Sequence, residues 1–85
     1  MLKKTGSIKM DIAYGTKVYD TNKKQIGILI NTYPLKYVDA PDLMGAKVVD
    51  TKGKVYPARL DNLLPIDNLE EKDLKTYNIP EWFTR

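Results

Sequence analysis

The residue types that most often carry catalysis are largely missing from this chain. Its 85 residues include no histidine and no cysteine, which removes imidazole acid–base chemistry, thiol nucleophiles and the common zinc ligand sets. The one serine, Ser7, stands in an aperiodic start. The glycines at 6, 15, 27, 45 and 53 match neither a phosphate-binding loop nor a dinucleotide fingerprint. Asp39 and Asp42 form the one close carboxylate pair of the first sixty residues, but aspartates in a proline-bearing stretch usually serve as turn formers. The expectation is a non-enzymatic protein with no cofactor and no metal site.

Binding chemistry is what remains, and two sets of residues could supply it. The first is apolar: Leu35, Tyr37, Val38, Leu43, Met44, Pro57, Trp82 and Phe83. It draws on an irregular stretch (34–44), a proline-bearing strand edge and an aromatic tail, and it suits contact with a protein partner that the sequence does not name. The second is cationic: Lys17, Lys47, Lys54 and Arg59 read as outward on strands, Lys23, Lys24 and Lys52 read as turn residues, and Tyr19 and Tyr37 are candidate stacking partners. That combination suits RNA or DNA, where charge meets phosphate and rings meet bases. The sequence reading is therefore a protein-interaction or assembly module, with nucleic-acid binding through a lysine-rich face as the alternative.

Charge distribution supports both. Residues 1–60 carry eleven Lys and Arg against five Asp, a net +6, whereas residues 61–85 carry three against six Asp and Glu, a net −3. A basic body with an acidic tail implies an anionic partner, a tail folded onto a body, or a contact between copies through the tail. The longest unbroken aliphatic run is Ile28-Leu29-Ile30, far short of a membrane span. Met1-Leu2-Lys3-Lys4 resembles the start of a signal peptide, but no apolar stretch follows it. With no cysteine as well, the expected location is the cytoplasm.

The elements that must position these residues are mostly short strands. Ile8, Met10 and Ile12 alternate with Lys9 and Asp11, a half-buried strand pattern. Thr16–Tyr19 begins a second strand, and Gln25–Tyr33 reads as the strongest, with Ile26, Ile28 and Ile30 on one face and Gly27 marking a bulge or a close backbone approach. Ala46–Asp50 and Val55–Leu60 form a hairpin about Lys52-Gly53. Pro57 lacks an N–H, so its strand must be an edge or bulged there. One helical turn over Asp61–Pro65 leads to a last short strand. The expected inward set is Ile12, Val18, Ile26, Ile28, Ile30, Val48, Tyr56, Ala58 and Leu60. Beyond residue 66 the pattern predicts a short helix, with Asp67 and Glu70 as a capping box, Glu71 and Lys75 at helical spacing, and a stop at Asn78. Leu74, Tyr77, Trp82 and Phe83 then need a surface to dock on, their own chain's or a neighbour's.

Strand, turn, strand, single helical turn, strand is the closing order of SH3-like barrels. Gly15-Thr16-Lys17-Val18-Tyr19-Asp20 followed by Ile26-Gly27-Ile28-Leu29 resembles the opening of a PRC-barrel. Gly53-Lys54-Val55-Tyr56-Pro57, with Leu63-Leu64-Pro65-Ile66, resembles the ends of KOW, Tudor and SH3 domains. The resemblance spans residues 14–66 and implies RNA, ribosome or protein docking. It does not extend to the tryptophan-lined groove by which SH3 domains take proline-rich peptides. The expected architecture is mainly β: an SH3-like small antiparallel barrel of five or six strands over residues 1–66. A C-terminal α-helix and aromatic tail over 67–85 would pack on it or on a neighbour.

Overall fold

The computed structural model describes residues 12–35 and 43–84. Five strands form one antiparallel sheet: β1 (Lys17–Asp20), β2 (Gln25–Pro34), β3 (Met44–Asp50), β4 (Val55–Arg59) and β5 (Leu63–Pro65), in the spatial order β4-β3-β2-β1-β5. The Ile8–Ile12 strand pattern falls almost wholly outside the described residues.

Among the described residues no ladder joins β4 to β5, so the sheet is open rather than a closed barrel. It is nonetheless strongly curled. Four strand spacings would separate β4 from β5 in a flat sheet, about 19 Å. The connection between them is a single 3-10 turn, Leu60–Asn62, which rises only about 2 Å per residue. So short a link requires the two edges to approach each other. A β-bulge helps: β2 pairs in register with β1 over its first four residues and with β3 from Gly27 onward, and the register slips between Leu29 and Asn31. Ile30 is the extra residue, and bulges sharpen local bend and twist.

Each turn has a local cause. Asp50 Oδ1 accepts the backbone N–H groups of Lys52 and Lys54 at 2.9 Å each, and Gly53 takes the positive φ of 80° that the β3–β4 turn requires. Those two amides, the Lys54 N–H foremost, hold the Asp50 carboxyl below its ordinary range. Gly27 is required by close approach: a Cβ there would lie 2.5 Å from Val48 Cγ1 and 2.8 Å from the Val49 carbonyl oxygen.

The sheet has two apolar faces. The concave face carries the main core, Val18, Leu29, Ala46, Val48, Leu60 and Leu63, with Ile12, Met44, Tyr56 and Ala58 packed against it. The convex face of β1, β5 and the start of β2 carries Tyr19, Ile26 and Leu64, and there the tail docks through Leu69, Leu74, Tyr77, Ile79 and Phe83. Two-faced burial corrects the expected inward set. Val18, Val48, Tyr56, Ala58 and Leu60 do face the main core, with Ile12 packed partly against it. In β2, however, Leu29 is the core residue, Ile26 points to the tail, Ile28 is half-buried and Ile30 is 40% exposed on the bulge.

The tail is built from short pieces. A 3-10 turn (Ile66–Asn68) precedes α1 (Glu71–Thr76), and a last 3-10 turn covers Glu81–Thr84. Asp67 is not the helix cap as expected. The cap is Glu70, whose N–H donates to Asp73 Oδ2 at 3.0 Å, because residues 66–68 are already committed to their own turn. Asn78 ends the helix at a φ of 57°: its N–H reaches the Lys75 carbonyl, and the Ile79 N–H reaches that of Leu74. Both bonds define a Schellman stop, sealed by the Leu74–Ile79 apolar contact. Glu71 and Lys75, despite their spacing, form no ion pair among the described residues, whereas Glu70 and Lys72 do at 3.8 Å.

Candidate functional site

Asp20 ends β1 and is 1% exposed, the one buried charged side chain among the described residues. Its carboxylate is fully engaged. Oδ1 accepts the N–H groups of Asn22 and Lys23 at 2.9 and 3.2 Å, and Oδ2 accepts the Tyr56 hydroxyl at 3.0 Å. The first two bonds shape the β1–β2 turn and the third ties that turn to β4. Burial, with Asp20 adding to it, pushes the Tyr56 hydroxyl up to about 12. A second tie runs from Thr21, whose N–H and hydroxyl both donate to the Asn62 carbonyl at 2.9 and 3.0 Å. The turn is thus held to both β4 and the Leu60–Asn62 turn.

Between these tied walls lies a hollow of about 260 Å³. Leu35, Pro57 and Ala58 give it an aliphatic side; Asp20, Asn22, Lys23, Arg59 and Asn62 give it polar and charged groups. The Lys23 ammonium lies 5.7 Å from the Tyr56 ring centroid, a cation–π placement that fixes one rim. Arg59 meets Asp61 at 3.2 Å, with both side chains substantially exposed, so that pair adds little to stability.

Pro57 reaches the hollow because β4 is an edge strand among the described residues. The Asp50 N–H donates to the Lys54 carbonyl at 2.9 Å. Stepping by two along the register makes Val48–Tyr56 and Ala46–Ala58 hydrogen-bonded pairs. Pro57 therefore sits opposite Lys47 in a pair that exchanges no hydrogen bonds, with its missing N–H turned away from β3.

The cationic residues divide into groups. Lys23 and Lys24 in the β1–β2 turn share one end of the sheet with Lys52 and Lys54 beside the β3–β4 turn, since alternate hairpins of an antiparallel sheet turn at the same end. Lys47 lies on the convex face of β3, and Arg59 closes β4. Lys17 belongs elsewhere, with its ammonium 5.6 Å from the Phe83 ring centroid under the tail. Tyr19 is not a stacking platform for a base. Its ring is buried and already stacked on Tyr77 at a centroid distance of 4.7 Å.

The apolar residues also divide. Leu35 lines the hollow, and its N–H bonds to the Leu43 carbonyl at 3.0 Å. Met44 packs on the main core and Leu43 is half-buried. Tyr37 and Val38 lie outside the described residues. Phe83 is buried against Tyr19, Ile66 and Ile79 of its own chain and is not open to a partner, while Trp82 next to it is 62% exposed and is not docked.

No family model, curated protein or solved structure matches the chain. Among the described residues no helix is long and apolar enough to cross a membrane. Asp20, Asn22, Ala58 and Asn62 are the lining residues that sequence reasoning did not place in a site. The one local signal was an Asp two residues before an Asn at a strand end, a side-chain turn pattern that does not reveal the Tyr56 partner 36 positions away.

Proposed function

We propose that this chain is a non-catalytic interaction module of SH3-like construction, which takes an extended protein segment in the hollow beside Asp20. The spatial order β5-β1-β2-β3-β4, with one 3-10 turn linking the outer strands, supports the SH3-like reading. The observation that carries the function is the hollow itself. It is concave, has an aliphatic side for a partner's apolar residue, and presents fixed polar groups for orientation. Its walls are held by hydrogen bonds already made, so little ordering is needed on binding. The test is selection of binding peptides from a random library, followed by titration against Pro57→Glu, an exposed position. Selected peptides should lose about tenfold in affinity, roughly 1.4 kcal/mol, while the melting temperature holds. Peptides that bind the variant as well as the parent chain would place the contact elsewhere.

A second reading is favoured by the four lysines, Lys23, Lys24, Lys52 and Lys54, gathered at one end of the sheet. Such an end suits phosphates of RNA or DNA. Reversing Lys23 and Lys24 to Glu should weaken binding and flatten its salt dependence, by about 0.9 in log–log slope for each duplex phosphate no longer neutralised. Absence of binding to mixed DNA and RNA at about 50 mM salt would reject this reading.

A further inference from the structure

The tail covers only half of the convex face. Beyond it, the outward residues of β2, β3 and β4 form rows in register: Ile28, Val49 and Val55; then Asn31, Lys47 and Pro57; then Tyr33, Gly45 and Arg59. Tyr33 lies over Gly45, where a Cβ would meet its ring at 2.5 Å. Val55 is 51% exposed, and Ile30, Lys47, Pro57 and Arg59 are exposed too. The surface is apolar and cationic, and the neighbouring acid, Asp61, is bound to Arg59.

The tail has the opposite character. Over residues 67–84 it holds five Asp and Glu against Lys72 and Lys75, a net −3. It also presents the exposed Trp82 indole in a fixed position. The ring stands edge-on to the buried Phe83 at 5.9 Å and 82°, and its 3-10 turn is closed by bonds from Phe83 N–H to the Pro80 carbonyl and from the Thr84 hydroxyl to that of Glu81. A rigid, half-uncovered indole is the usual form of an interface anchor. Beside it runs an open groove along α1, about 720 Å³, with Leu74 and Ile79 in its floor and Glu71 and Lys75 at its rim.

We propose that the acidic tail of one copy, anchored by Trp82, docks on the uncovered apolar–cationic half of the sheet of a second copy, and the reverse. Charge complementarity selects this occupant: tail against tail would bring like charges together, and so would sheet face against sheet face. Reciprocal docking closes a pair, where a one-way contact would grow into a chain. The contact shares only Pro57 and Arg59, at the β4 edge, with the hollow beside Asp20. Its test turns on Lys47, Trp82 and the acidic tail, none of which lines the hollow, so the two readings fail separately.

The test is sedimentation of the full chain over a wide concentration range, with emission of its single tryptophan followed in parallel. Mass should rise toward that of two chains while Trp82 emission shifts to the blue. Trp82→Ala should abolish the rise. Lys47→Glu should be monomeric, as should Asp67→Lys with Glu71→Lys, and mixing the two proteins should restore the pair. Monomers at every concentration with solvent-like Trp82 emission would overturn the proposal. So would association that survives Trp82→Ala, or reversed proteins that fail to pair on mixing while each keeps the parent circular dichroism.

Discussion

Phe83 and Trp82 are adjacent aromatics with opposite fates, and replacing each with alanine measures what tail docking contributes. Phe83 is 5% exposed in the cluster of Tyr19, Ile66 and Ile79, and it carries the Lys17 ammonium over its ring. Removing a buried phenyl costs about 3–5 kcal/mol. The lower end applies here, because a residue near the chain end can relax and the tail can detach as a unit. That detachment sets a ceiling: once the tail is off the sheet, further damage to its packing changes nothing. Even about 3 kcal/mol is a large share of what a chain of this length holds, roughly 4–13 kcal/mol. At about 4–8 °C per kcal/mol it lowers the melting temperature by about 12–24 °C. Trp82→Ala forfeits the edge contact with Phe83 and little else, about 1 kcal/mol. Both variants are melted at a dilution where the chain is monomeric. If Phe83→Ala does not fold, Phe83→Leu should still cost more than Trp82→Ala. Equal losses at the two positions, or a Phe83→Ala protein that melts like the parent and keeps amide protection at Ile79, would refute the docking argument.

Two further tests probe the frame of the site. Gly27→Ala should cost about 1–3 kcal/mol, because the new methyl meets the Val49 carbonyl, which cannot move without breaking the ladder. Gly45→Ala should cost less, since the obstacle is the far end of the Tyr33 side chain, and denaturant titration of both variants checks the order. Tyr56 should ionise near pH 12 in the folded chain, as read by absorbance against a Tyr56→Phe variant. Its folded value lies above the unfolded value near 10, so its contribution to stability is complete below pH 10 and is lost as pH rises toward 12. Asp20→Asn removes a negative neighbour and should bring that midpoint down.

The mainly β character and the β3–β4 hairpin were legible because their signals are local. Gly53 with a positive φ in the turn and Pro57 as a marker of an edge both act within a few residues. The facing of β2 was not legible for a physical reason. Alternation assigns Ile26, Ile28 and Ile30 to one side, but it decides which side is inside only when the other side is wet. Here the tail dries part of the convex face, so Ile26 is buried there, and Leu29 alone serves the main core from the strand's middle. The bulge at Ile30 then breaks the period, and nothing in a run of aliphatic residues announces it.

The same reasoning separates the candidate sites. A cluster of cations is readable in outline, because lysines at turns stay in water wherever the turns go. Lys17 shows the limit: one position in β1 decides whether a cation lies open at a sheet end or over the Phe83 ring under the tail. The hollow depends on contacts of higher order. Asp20 lies in it only because Tyr56, 36 positions later, arrives on β4 with its hydroxyl 3.0 Å away. Thr21 joins Asn62 across a still longer separation. A buried carboxylate needs several partners, since each unmet hydrogen bond costs about 1–3 kcal/mol. Satisfying Asp20 therefore fixes the β1–β2 turn, and fixing that turn makes the hollow a preformed surface.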